Sequence, residues 1–221
     1  MERPRVGIVV PALNEAATIA AIVERISPYG QAIVVDDGST DATAELARQA
    51  GADVVSHQVN QGYDGALNTG FARAKELGCT YIITMDADGQ HNPVQLTQMI
   101  ALLDEGNELV LGIRNCFARI SETIFARIAN FLWGVEDPLC GMKGYATSLY
   151  ISAGRFDRYK LIGCELAVRS IVAGCRTARM HIIVRSRIGR PRFGSLLSAN
   201  YRILRAMLIL MFLYPPGKSV N

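Results

Sequence analysis

The first half of the chain alternates, with little interruption, between short apolar β-rich runs and stretches with helical periodicity. VGIVV (6–10), AIVVDD (32–37), DVVSH (53–57), TYIITMD (80–86) and ELVLGIR (108–114) read as strands. Between them, residues 15–26 place Ile19, Ile22, Val23 and Ile26 on one helical face, and DATAELARQAG opens at Thr40 or Asp41 and closes at Gly51. Residues 64–77 form a helix ending at Gly78, and PVQLTQMIALLDEG carries Pro93 in its first turn. Strands that are apolar along their whole length must be covered on both faces. Alternating with helices, they predict an α/β fold, a three-layer sandwich around a mostly parallel mixed sheet. Beyond Arg114 the pattern loosens. Helices are expected at 122–133, 164–174 and 196–213, strands at 140–146 and 178–188, and a loop at GRPRFGS (189–195). At 221 residues, with half of them apolar and no repeat or linker, one domain is expected over 1–195, followed by a basic and apolar helix over 196–221.

In open α/β sheets, ligands bind beyond the carboxyl ends of the strands, and unusual residues collect there in three places: PALNE (11–15), DDGSTD (36–41) and DADGQH (86–91). Each alone reads more readily as a turn with a helix cap than as a functional loop; their conjunction at one sheet edge is much less easily explained that way. Asp86 and Asp88, two residues apart at a strand exit, can share one hard divalent cation, with Gln90 adding a neutral oxygen. Mg2+ or Mn2+ takes one or two protein carboxylates and completes its shell with phosphate oxygens and water. Such a half-filled site suits a nucleoside diphosphate, whose developing charge the metal would neutralise.

PALNE, VVDDGSTD, NQGYDGALNTGF (60–71) and MDADGQHNP, in this order and spacing, resemble the family-2 glycosyltransferases with the GT-A fold, in the dolichyl- or polyprenyl-phosphate sugar transferase branch. The resemblance covers about residues 5–195 and is most specific in the first 115. It implies inverting transfer from a UDP- or GDP-linked sugar. Pro11, Ala12, Asn14, Glu15, Asp37, Gly62, Asp86, Ala87 and Asp88 would lie around the nucleotide, and Asp86, Asp88 and Gln90 would hold Mg2+ or Mn2+. Arg114 matches the family's arginine after the fifth strand and would grip a phosphate. Asp137, in DPLCGMKGY, matches the acceptor-side acid; a phosphate acceptor needs no base, whereas a hydroxyl acceptor does. Glu165 matches an acid near the site, though a plain helix-face carboxylate fits it too. Arg190 and Arg192 match the basic loop over the donor; here Leu196 and Leu197 follow Ser195 where that branch usually has a lysine. Of the histidines only His91, beside the metal motif, draws suspicion.

Charge bears on the acceptor. Residues 1–165 carry 13 Lys and Arg against 20 Asp and Glu, whereas residues 166–221 carry 10 Lys and Arg and no acid. An anionic partner at that end is implied, a polyprenyl phosphate or a membrane surface, with a sugar hydroxyl of a growing glycan as the competing acceptor. The run Ala206–Tyr214 spans about 13 Å as a helix, too short for the roughly 30 Å of a bilayer core. It suits either the membrane interface, with Arg202 and Arg205 towards head groups, or a buried core position. Five scattered cysteines without a CxxC pair, and no visible targeting signal in MERPRVGIVVPALNE, lead to an expected cytoplasmic location, peripheral on the cytoplasmic face of the membrane. A sugar-phosphate nucleotidyltransferase would open with a glycine-rich loop, and PALNE is not one. A nucleotide-binding protein without catalysis is the non-enzymatic alternative, and nucleic acid is not expected as a partner because no such motif accompanies the arginines. Oligomeric state is not legible.

Overall fold

A computed structural model describes residues 5–89, 91–117, 119–183 and 196–215. Seven strands form one sheet: β1 (Val6–Ala12), β2 (Gln31–Asp36), β3 (Asp53–Ser56), β4 (Tyr81–Thr84), β5 (Leu109–Arg114), β6 (Lys143–Ala146) and β7 (Thr177–Ile182), in the order β3-β2-β1-β4-β6-β5-β7. All neighbours run parallel except β6, which lies antiparallel to both β4 and β5. The helices are α1 (Ile19–Ile26), α2 (Thr43–Gln49), α3 (Tyr63–Glu76), α4 (Gln95–Asp104), α5 (Ile120–Trp133), α6 (Thr147–Ala153), α7 (Glu165–Val172) and α8 (Leu196–Leu213). Two apolar layers result, one on each face of the sheet. One holds Val9, Ile33, Phe71, Tyr145 and Phe156 beneath α3, α5, α7 and α8; the other holds Ile8, Val10, Ile83 and Met99 beneath α1 and α4.

The expected α/β sandwich forms, and its local departures have local causes. β1 runs on through Pro11 to Ala12, pairing Pro11 with Val35 and Ala12 with Asp36. Its pairing with β4 ends at Val9 and Thr84, so no ladder bond on that side needs the N–H that proline lacks. α1 begins at Ile19 rather than Glu15, because Asn14 adopts φ +52° and residues 15–18 close a turn in which the Glu15 carbonyl accepts from the amides of Thr18 and Ile19. α6, which sequence periodicity does not mark, follows directly on β6 and ends at Gly154 with φ +71°.

Gly70 sets the approach of α3 to the sheet, since a Cβ there would collide with the Val9 side chain and touch Val35. The close approach brings the first turn of α3 to the carboxyl edge of β1 and β2. α8 runs parallel to α5: Ser121 Oγ donates to Asn200 Oδ1 near their starts, at 2.6 Å, and Trp133 Nε1 donates to the Tyr214 carbonyl near their ends, at 2.8 Å. Its Ile203, Ala206, Met207 and Leu210 are buried in the same layer as Phe71. No helix among the described residues is long and apolar enough to cross a membrane.

Candidate active site

The three loops picked out by composition meet at the carboxyl edge of β1, β2 and β4, and their side chains stitch them together. The Asn14 amide donates to Ser39 Oγ at 2.9 Å, and its side-chain oxygen accepts from the Thr40 amide at 2.9 Å. The Glu15 amide donates to Thr43 Oγ1 at 2.8 Å, and Asp41 accepts from the amides of Ala16 and Thr43 and from the Thr43 hydroxyl. These hydrogen bonds hold the Asp41 carboxyl below the usual range, against the opposing effect of burial. Thr18 closes the ring: its hydroxyl lies 3.1 Å from Glu15 Oε2 and donates to the Ala87 carbonyl at 2.8 Å, joining PALNE to DADG.

Asp37 is buried at the end of β2 and organises a fourth segment. Its Oδ1 accepts from the Gln61 amide and its Oδ2 from the Gly62 amide, both at 2.8 Å. His57 Nδ1 lies 2.7 Å from Oδ1, and His57 Nε2 lies 2.9 Å from Thr69 Oγ1. Gly62, at φ +85°, makes the sharp entry into α3 that an L side chain would strain. The carboxylate therefore anchors the NQGY loop, and His57, which forms no ligand spacing in the sequence, is its buried buttress.

Asp86 stands at the centre. Tyr63 Oη, on the first turn of α3, donates to its Oδ1 at 3.3 Å, and His91 Nε2 lies 3.4 Å from its Oδ2. On a third side is Gly141, where a Cβ would overlap the Asp86 carboxylate. Thr84 Oγ1 donates to the Gly141 carbonyl at 2.7 Å, drawing the CGMK turn against the end of β4. The Asp86 side chain keeps a quarter of its surface open, whereas Asp88 is buried. Among the described residues no three metal-ligating side chains gather into a closed cage. Gln90, Arg190 and Arg192, expected at the metal and over the donor, lie outside the described residues.

Beyond Gly141 lies Asp137, the acid expected on the acceptor side. Asp137 is buried, and Arg114 at the end of β5 takes both its oxygens. Nε meets Oδ2 at 2.7 Å, Nη2 meets Oδ1 at 2.9 Å, and the Arg114 amide adds a bond to Oδ2 at 3.1 Å. Glu122 also faces this guanidinium at 3.2 Å, and the Phe117 ring lies 5.5 Å from it. Burial opposes the cation, but the carboxylates win and keep Arg114 charged. Glu165 is a tie between elements. Its Oε2 accepts from the Arg158 amide at 2.6 Å and its Oε1 from the Tyr214 hydroxyl at 3.2 Å.

Several contributors carry no sequence signal. Lys143 is buried with Nζ donating to the carbonyls of Cys140 and Gly163, at 2.8 and 3.3 Å, so it ties the CGMK turn to the segment before α7. Asp64 accepts from the amides of Ile162 and Gly163 at 3.2 and 2.6 Å. Burial and neighbouring Asp157 push its carboxyl up to about 6. Burial pushes the thiols of Cys140 and Cys164 up to about 12, which leaves them neutral and unreactive.

A mostly parallel sheet with acidic loops converging at its carboxyl edge, and one antiparallel strand beside the site, defines an α/β domain of the GT-A class. The chain belongs to glycosyl transferase family 2, whose family model matches residues 7–147. An uncharacterized protein of Methanocaldococcus jannaschii is 38% identical over 117 residues, 52% of this chain and 48% of that protein. The chain thus matches about half the length of that relative. A dolichyl-phosphate hexose transferase of Haloferax volcanii is 28% identical over 199 residues, 84% of this chain and 85% of that one. Among solved structures, glucosyl-3-phosphoglycerate synthase of Mycobacterium tuberculosis, in complex with Mn2+, UDP and phosphoglyceric acid, matches with a TM-score of 0.78 at 24% identity, over 98% of this chain and 80% of that chain. That likeness establishes the fold.

Proposed function

We propose that this protein moves a sugar, with inversion, from a nucleoside-diphosphate sugar to a polyprenyl phosphate at the cytoplasmic face of a membrane. One observation carries the choice of acceptor: both oxygens of Asp137 are taken up by Arg114. A hydroxyl acceptor needs a base presented to it to take its proton, whereas Asp137 is buried and turned to Arg114. A phosphate monoester is already an anion at neutral pH and needs none. The dolichyl-phosphate relative in Haloferax, matched over 85% of its length, supports the same choice.

In this reading the nucleotide lies across the carboxyl edge of β1 and β2, against Pro11, Ala12, Asn14 and Glu15. Asp37 and Gly62 shape the neighbouring wall by holding the NQGY loop. Asp86, Ala87 and Asp88 face the donor diphosphate. Asp86 and Asp88, with Gln90, form the partial set that Mg2+ or Mn2+ accepts when phosphate oxygens fill the rest of the shell. When bound, the cation supplies charge neutralisation at the departing diphosphate. Tyr63, His91 and Gly141 hold the Asp86 carboxylate towards that position. An acceptor phosphate oxygen attacks the anomeric carbon from the face opposite the diphosphate. The bond to the new phosphate oxygen forms as that to the diphosphate oxygen breaks, and no proton must be removed. Arg114 and Asp137 act as a neutral, rigid brace on the acceptor side, and Arg192 serves as a phosphate contact.

The test supplies the protein with Mn2+, UDP- and GDP-sugars and a short-chain polyprenyl phosphate, and reads product mass. A glycosylated lipid phosphate is expected with one donor. Transfer only to sugar hydroxyls, with no lipid product from any donor, would overturn the acceptor assignment in favour of a glycan.

A further inference from the structure

Seven of the twelve large apolar side chains exposed among the described residues lie on two neighbouring helices. On α5, Ile120, Ile124 and Phe131 recur at helical spacing, opposite the buried Phe125 and Ala129. On α8, Tyr201, Leu204, Leu208 and Phe212 do the same, opposite the buried Ile203 and Leu210. Phe131 and Phe212 are 88% and 86% exposed, and it is their place in contiguous apolar stripes that marks an interaction surface. The bonds from Ser121 to Asn200 and from Trp133 to Tyr214 set the two helices parallel and in step. Ile124 therefore runs level with Leu204, and Phe131 with Phe212.

Charge decides what would cover this face. Glu122 is the one acid in α5 and α8, and it is buried against Arg114 and Arg119. Arg127 is exposed on the α5 stripe itself, and Arg202 is exposed beside the α8 stripe. A second copy meeting this face through the same two helices would offer these arginines no exposed acid to pair with. An anionic lipid surface offers both what the apolar residues need and what the arginines need.

We propose that the paired faces of α5 and α8 form a docking surface for an anionic membrane, lying flat in the head-group region. α8 thus serves both positions considered from its sequence: one face completes the core and the other meets lipid. Arg205 does not reach for head groups, since its Nη1 donates to the carbonyls of Tyr159 and Lys160. The inference rests on the lipid-acceptor reading for its purpose, but binding to a membrane is measured without donor or acceptor.

Sedimentation of the full chain with phosphatidylglycerol-containing vesicles, with pure phosphatidylcholine vesicles as the comparison, tests it. Binding is expected to the anionic vesicles and to weaken as salt rises from about 0.1 to 0.5 M. Phe131→Ser, Leu208→Ser and Phe212→Ser should each lower vesicle partition by on the order of tenfold while the melting temperature is kept. Arg127→Glu with Arg202→Glu leaves the apolar stripes intact and should abolish the preference for anionic vesicles. No vesicle binding by the unaltered protein, or binding that none of these changes affects, would overturn the proposal. So would a stable dimer in light scattering that Phe131→Ser converts to monomer. Vesicle binding that persists alongside transfer only to hydroxyl acceptors would count against the acceptor reading alone.

Discussion

Arg114 holds Asp137 in a two-pronged grip, Nε to Oδ2 at 2.7 Å and Nη2 to Oδ1 at 2.9 Å, with its own backbone amide as a third donor. The pair joins the end of β5 to the turn that presents Gly141 to Asp86. Removing one partner leaves a buried charge without compensation. Arg114→Ala is expected to cost about 3–5 kcal/mol of folding stability, measured by urea denaturation. Arg114→Lys keeps the charge but loses the fork, and should recover only part of that loss. A double substitution, Arg114→Met with Asp137→Leu, should be less destabilised than Arg114→Ala.

Gly141→Ala tests the shape of the Asp86 site. The added methyl would occupy the space of the Asp86 carboxylate, so either the turn or the aspartate must shift. A stability loss of about 1–3 kcal/mol is expected from the overlap. Calorimetric titration with UDP should show Mn2+-dependent affinity falling at least tenfold. Unchanged metal-dependent affinity would mean that Asp86 does not serve the cation.

Tyr63→Phe removes one hydrogen bond to Asp86 and keeps the ring that packs at Gly163. Stability should change by about 1 kcal/mol or less. The Mn2+ concentration for half-maximal UDP binding should rise severalfold, since the carboxylate loses an anchor.

Asp64 gives a pH dependence with a definite sign. Its carboxyl has an ordinary value of 3.8 and is pushed up to about 6 in the folded protein, by burial first and then by Asp157. The folded state therefore holds the proton more tightly than the unfolded one. The corresponding stability is complete below about pH 4 and is lost as pH rises through about 6. Asp64→Asn removes this slope. The stability of the native protein relative to that variant should fall by about 2–3 kcal/mol between roughly pH 4 and 7, as read from denaturation series at each pH. A constant offset of about 1 kcal/mol is expected from the amide bond that asparagine cannot replace.

Asp37→Ala should loosen the entry to α3. Three partners lose their acceptor at once, the Gln61 and Gly62 amides and His57. Hydrogen exchange at Gln61 and Gly62 is expected to speed up well before global unfolding does, because the loss is confined to that loop.

Much of this molecule is legible in one dimension. Apolar runs of four to seven residues and helical spacing are local patterns, and they locate seven strands and all helices but α6. The three acidic loops were likewise visible because turn residues cluster just past those strands. What each acid does was not visible in the same way. Asp37 and Asp137 look in the sequence like free ligands, yet the fold gives their oxygens to Gln61, Gly62, His57 and Arg114, 20 to 25 positions away along the chain. Gly141 carries no chemistry of its own and matters only because the antiparallel placement of β6 beside β4 sets its turn against Asp86.

The sequence by itself determined the α/β alternation, the family motifs and the change from an acidic to a basic chain near residue 165. Only the tertiary structure decided which carboxylates are anchors and which stay open, and that α5 and α8 lie in step with two apolar stripes turned outward. The physical reason is that periodicity and turn chemistry act between near neighbours, whereas burial and hydrogen-bond partnership depend on which distant segments the sheet order brings together.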